Sequence, residues 1–200
     1  MRTLKTTIPS IRNRLANASV CSVHALERQG MALLTEEGIT SSHLPLSLKF
    51  VEVTALNVLY KGVGIRNVRG GMEFYCRSLY ARPFTVRKSA ITFLPRVAGS
   101  RSSCCCLFAD FMDYLSYLTL IDRHVAIFPV GDTVIMGNVQ NFLDMLLESK
   151  PYYKVACFFP SSQAGQVMFH TVKGERKGYT TDYSFAYCEA TNLLTYVKQI

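Results

Sequence analysis

Three kinds of residue in this 200-residue chain have the chemistry to act on a ligand. The carboxylates Asp110 and Asp113, with Asp182 further on, stand beside apolar runs of strand character. Acids at strand ends are the groups that hold Mg²⁺ or move protons. Cysteines are nucleophiles and soft-metal ligands by type, and there are seven: Cys21, Cys76, Cys104, Cys105, Cys106, Cys157 and Cys188. Their number is odd and none forms a C-x-x-C pair. Three in succession on a strand alternate faces, so they do not reach one tetrahedral ion, and buried reduced thiols are the expectation. His24, His43, His124 and His170 are scattered, and a Cys157–His170 pair has no motif behind it. Ser161 and Ser162 read as caps for a helix beginning near Gln163, whose first backbone amides are a place for a phosphate.

The second chemical feature is charge. Twenty-two Lys and Arg against 14 Asp and Glu leave a net charge of +8. All of that excess sits between residues 61 and 101, where Lys61, Arg66, Arg69, Arg77, Arg82, Arg87, Lys88, Arg96 and Arg101 face the single acid Glu73. The flanks nearly balance. Arginine suits bidentate phosphate contact, and Phe74, Tyr75, Tyr80 and Phe84 are interleaved with it. A solvated face normally mixes both signs, so this segment points to a nucleic-acid surface, with Arg66, Arg69, Arg77, Arg82, Arg87, Lys88 and Arg96 as its contacts.

These residues need elements to position them. A hydrophobic content of 49% and mean hydropathy of +0.15 exclude a disordered or low-complexity chain. Residues 1–22 read as a basic arm, and 23–37 as one or two short helices with Leu26, Met31 and Leu34 at helical spacing. Strand-like runs follow at 48–53, 56–60, 62–68 and 72–76, with Gly70-Gly71 as a turn signal, and ITFL at 91–94 reads as the last strand of an antiparallel meander. After residue 100 strands and helices alternate: CCCLFA, a helix behind Asp110, DTVIMG, a helix over 138–149, KVACFF, a helix closed by Gly174, TDYSF and a final helix from Asn192. HVAIFPV at 124–130 is apolar enough for another strand. Alternation of this kind implies parallel pairing with right-handed crossovers, and ligands then bind beyond the strands' carboxyl ends. Here those ends are Phe108-Ala109-Asp110, Met136-Gly137-Asn138 and Phe159-Pro160-Ser161-Ser162.

LFADFMDYLSYLTL resembles the first strand and helix of a Toprim domain, IMGNVQNFLDMLL the second, KVACFFPSSQAG the third with its Ala164-Gly165 pair, and TTDYSFAYCEATNLLTYV the last. Upstream, the turn from Asn67 to Gly71 is similar to one in primase-like proteins of bacterial mobilizable elements. The resemblance implies a Toprim-like, Rossmann-type α/β fold: a mostly parallel sheet flanked by helices at 101–200, preceded by a small helix plus antiparallel β-meander subdomain at 23–100. It also implies a catalytic Glu and an Asp-x-Asp that holds Mg²⁺. Ala109, Pro160 and Ser162 stand at those positions, and the family's zinc finger has no counterpart.

The expectation is therefore a catalytically degenerate Toprim-like protein of a mobile element, cytoplasmic, with no catalytic residue, metal or cofactor, Mg²⁺ entering only if catalysis persisted. Its partner would be nucleic acid, DNA first, with replication or mobilization proteins beside it and no membrane. Asp110, Asp113, Asn138, Ser161 and Gly165 would line what remains of the cleft. The rivals are a protein-interaction module on the same fold and a metal-dependent primase- or nuclease-like enzyme.

Overall fold

The computed structural model describes residues 17–55, 57–96, 102–137, 152–174 and 179–200. Alternating apolar residues build the first sheet. In β2 (Leu48–Ala55), Leu48, Phe50, Val53 and Ala55 are buried while Lys49, Glu52 and Thr54 are half-exposed. Its hairpin to β3 (Val58–Arg66) turns at Asn57, which takes the left-handed backbone (φ 61°) that asparagine tolerates. The second and third runs thus meet in one strand, Val58–Arg66, which is followed by β4 (Met72–Tyr75) and β5 (Phe84–Val86). On the other edge, β1 (Ser19–His24) pairs antiparallel with β2, giving the order β1-β2-β3-β4-β5.

β1 corrects two expectations. It begins inside the segment read as an arm, and it carries Val23 and His24 into pairing with Val51 and Phe50, so that helix α1 starts only at Arg28 (Arg28–Glu36). β-branched residues at 20 and 23 satisfy the open edge of β2 better than they would extend a helix.

The second sheet has the order β10-β9-β7-β8-β6. Its strands β7 (Cys104–Phe108), β8 (Asp132–Ile135), β9 (Lys154–Phe158) and β10 (Tyr179–Asp182) are parallel. The edge strand β6 (Thr92–Leu94) runs antiparallel to β8. ITFL is therefore not the end of the meander: β5 closes that sheet, and the chain crosses over to cap the parallel one. Helix α2 (Phe111–Asp122) follows β7, α3 (Gln163–Gly174) follows β9, and α4 (Leu193–Val197) ends the chain behind a 3-10 turn at Ser184–Tyr187. That turn takes over from β10 at Tyr183, where a strand through Phe185 was expected, because the Asp182 carboxylate accepts the Ser184 N–H at 2.9 Å. HVAIFPV forms no strand, since β8 already occupies the place beside β7. The helix expected over 138–149 lies outside the described residues.

One apolar cluster joins both parts, taking Leu34, Leu48, Val63 and Ile65 from the first and Phe108, Phe111, Leu115, Phe158 and Leu193 from the second. The other face of the parallel sheet packs Leu107, Val134, Val155, Phe169 and Val172 together with Ile91. Cys105 and Cys106 go to opposite faces. Cys21 and Cys188 are exposed rather than buried. No helix among the described residues is long and apolar enough to cross a membrane.

Candidate nucleic-acid interface

The carboxyl ends of the parallel strands hold little free chemistry. Asp110 is the N-cap of α2: its Oδ1 accepts the backbone N–H groups of Met112 and Asp113 at 3.0 and 3.1 Å. Asp113, 1% exposed, accepts the Leu194 N–H on Oδ1 at 3.0 Å, which ties the start of α4 to α2. Its Oδ2 is buried without a hydrogen-bond partner. Burial pushes both carboxyls up, Asp113 well up, where the charge of Asp110 adds to the effect. Ala109 packs against the apolar cluster of the sheet's other face. Ser161 donates to the Ala190 carbonyl at 2.7 Å, and Ser162 Oγ accepts the Gly165 N–H at 3.4 Å. Gly165 is required by contact: a Cβ there would stand 1.8 Å from the Pro160 carbonyl oxygen. Asp182 is engaged by the Ser184 N–H and, at 3.3 Å, by Gln166 Nε2. Asn138 lies outside the described residues.

This donor set does not fit Mg²⁺. The ion takes several hard oxygens in a near-octahedral shell. Asp110 Oδ1 is taken by two backbone amides, Asp113 offers one oxygen inside apolar packing, and Ala109, Pro160 and Ser162 offer no carboxylate. Among the described residues no three His, Cys, Asp or Glu side chains gather to hold an ion.

What this edge does carry is positive charge. Asn67, 5% exposed, organises it: Oδ1 accepts the N–H groups of Arg69 (3.1 Å) and Gly71 (2.8 Å), and Nδ2 donates to the Lys88 carbonyl at 2.7 Å. Gly70 turns the chain with φ +75°, and the Asn67 N–H donates to the Gly71 carbonyl. Pairing of Met72 with both Arg66 and Val86 then sets Arg66, Arg69, Arg87 and Lys88 around one corner, all four exposed. The Val68 N–H donates to the Ile91 carbonyl at 2.9 Å, and the next residue, Thr92, pairs with Ile135 at the carboxyl end of β8. The corner therefore sits at the carboxyl edge of the parallel sheet.

The remaining arginines divide. Arg82 is close enough to Asp110 and Asp113 to oppose the rise of both carboxyls. Arg77 is at the end of α1, with Nη1 3.7 Å from Glu37 Oε1, where Lys198 also pairs with Glu37. Arg96 lies at the amino edge of the sheet, its backbone N–H donating to Asp132 Oδ1 at 2.9 Å. Glu73, the lone acid of the basic segment, is buried and receives the Thr85 hydroxyl at 2.6 Å. Burial raises its carboxyl, and the charge of Asp110 raises it further. Sequence reasoning counted Glu73 only as one negative charge and saw in Asn67 only a turn. The tract Asn67 to Gly71 is the signal for the second, and nothing local marks the first.

No family model matches the chain, and no curated protein does. Among solved structures the chain is similar to the primase fragment of the bacteriophage T7 primase-helicase protein, at 12% identity and a TM-score of 0.49. The match covers 82% of this chain and 62% of that fragment.

Proposed function

We propose that this protein binds nucleic acid, DNA first, through the basic corner at the carboxyl edge of its parallel sheet, and that it acts there as an accessory protein rather than a phosphoryl-transfer enzyme. The observation that carries the reading is the Asn67 hub, which sets four exposed cations at the edge where parallel sheets of this kind take ligands. The state of the carboxyls at this edge supports it, because burial raises both Asp110 and Asp113 and Arg82 stands near them, so that less negative charge faces a phosphate chain. The mobile-element setting, with replication or mobilization proteins as companions, rests on the Toprim-like strings and on the turn from Asn67 to Gly71.

The test is a salt titration of DNA affinity for the wild type and for a variant carrying Arg66→Gln, Arg69→Gln, Arg87→Gln and Lys88→Gln. Each phosphate contact contributes about 0.9 to the slope of log K against log salt on duplex DNA, so four contribute about 3.6. Between 50 and 200 mM salt those contacts alone cost about 150-fold in affinity. The variant loses that part of the slope. A wild type that fails to bind at low salt, or a variant with an unchanged slope, refutes the proposal.

A further inference from the structure

The opposite, amino edge of the parallel sheet carries a second surface of different character. Tyr153, just before β9, and Tyr179, the first residue of β10, are joined by a backbone hydrogen bond from the Tyr179 N–H to the Tyr153 carbonyl at 3.2 Å. Their rings meet edge to face, with centroids 5.2 Å apart and an interplanar angle of 61°. Both remain exposed, at 67% and 65%. Tyr179 pairs in register with Lys154, and Lys154 with Cys104. Registered residues of parallel strands share a face, so Tyr179, Lys154 and Cys104 form a row about 10 Å long across three strands.

Arg96 reaches the far end of this row. After the hydrogen bond with Cys106, the charges of Lys154 and Arg96 are what draw the Cys104 thiol down to about 7, against burial and the carboxylate of Asp132. Both cations thus converge on Cys104. Among the described residues neither is paired with a carboxylate side chain. Asp132, 3% exposed, accepts the Arg96 backbone N–H and leaves the guanidinium unengaged by that bond.

Exposed aromatic rings favour a planar apolar ligand, and the cations beside them favour an anion. A single nucleic-acid strand joins the two at a regular spacing, whereas a duplex hides its base faces in its own stack. We infer that Tyr153 and Tyr179 form a stacking platform for the bases of a single strand, with Lys154 and Arg96 holding its phosphates. The inference rests on the nucleic-acid reading above and adds a strand-selective surface distinct from the basic corner.

The experiment compares binding of a labelled oligothymidylate and of a duplex of equal length by the wild type, by Tyr153→Ala/Tyr179→Ala and by Tyr153→Phe/Tyr179→Phe. Loss of a stacked base weakens binding by about 5- to 150-fold. The alanine pair is expected to lose at least that much on the oligothymidylate and to keep its duplex affinity, while the phenylalanine pair binds both as the wild type does. Replacing Lys154 and Arg96 by Gln lowers the single-strand salt slope by about 1.4. Equal thermal unfolding of all variants shows that the exposed rings were not holding the fold. If the wild type binds both ligands and the alanine pair binds oligothymidylate equally well, the platform is overturned and the basic corner stands. If the wild type binds neither, the nucleic-acid reading itself fails and the platform fails with it.

Discussion

Asn67→Ala tests whether the basic corner is built or merely decorated with charge. The substitution removes three hydrogen bonds: from the N–H groups of Gly71 and Arg69 to Oδ1, and from Nδ2 to the Lys88 carbonyl. The Arg69 amide is on an exposed residue and recovers water at little cost. The Gly71 amide is buried, and a buried donor left unpaired costs about 1–3 kcal/mol. The Lys88 carbonyl, half-shielded, adds about 1 kcal/mol. Together they give about 2–4 kcal/mol, or a fall of roughly 5–15 °C in unfolding temperature for a chain of this size. Asn67→Asp restores the acceptor and not the donor, and it sets a carboxylate oxygen against the Lys88 carbonyl, so it is expected to be destabilised as well. Urea titration followed by circular dichroism measures both variants, with a lower midpoint at an unchanged slope as the expected result. DNA affinity should fall in each, because Arg66, Arg69, Arg87 and Lys88 lose the strut that gathers them while keeping their charges. An Asn67→Ala protein within 0.5 kcal/mol of the wild type would show that the corner does not depend on this side chain, and the reasoning would fail.

Two other expectations concern the carboxyl edge. The Asp113 carboxyl is raised in the fold, so the folded protein holds its proton more tightly than the unfolded chain does; the associated stability is full below pH 3.8 and is lost as pH rises through the folded value. Asp113→Asn keeps the acceptor for the Leu194 N–H and is expected to flatten the stability-versus-pH curve above pH 3.8, which denaturant midpoints across pH will show; an unaltered curve contradicts the assignment. Gly165→Ala drives a Cβ to 1.8 Å from the Pro160 carbonyl oxygen, and is expected to cost more than about 3 kcal/mol in the same assay; a protein as stable as the wild type would mean that the turn before α3 gives way freely.

The periodic part of the fold was legible. Apolar alternation in LKFVEV, the continuous runs CCCLF and KVACF, and the helix start at Asp110 all appear where their local chemistry puts them. The errors fall where a choice depended on a distant partner. SVCSVH became an edge strand because β2 had a free edge, and TFL left the meander because β8 had one. Neither vacancy can be read from the six or three residues that fill it. The candidate site divides the same way. That 66–101 is basic is plain from composition, but Arg77 lies by Glu37, past the end of β4 opposite to the Asn67 turn, and Arg96 at the far edge of the parallel sheet, after the chain has passed from one sheet to the other.

The sequence by itself determined the strand character of LKFVEV, CCCLF and KVACF, the helix behind Asp110 and the location of the charge excess, because these depend on residue identity and on periods of two or 3.6. Only the tertiary structure decided which cations share a corner, that Asp113 turns from solvent to hold the start of α4, and that Tyr153 and Tyr179 meet ring to ring. These are pairings between residues 21, 81 and 26 positions apart along the chain. Strand register and the closing of sheet edges set such distances, and both are properties of the whole chain.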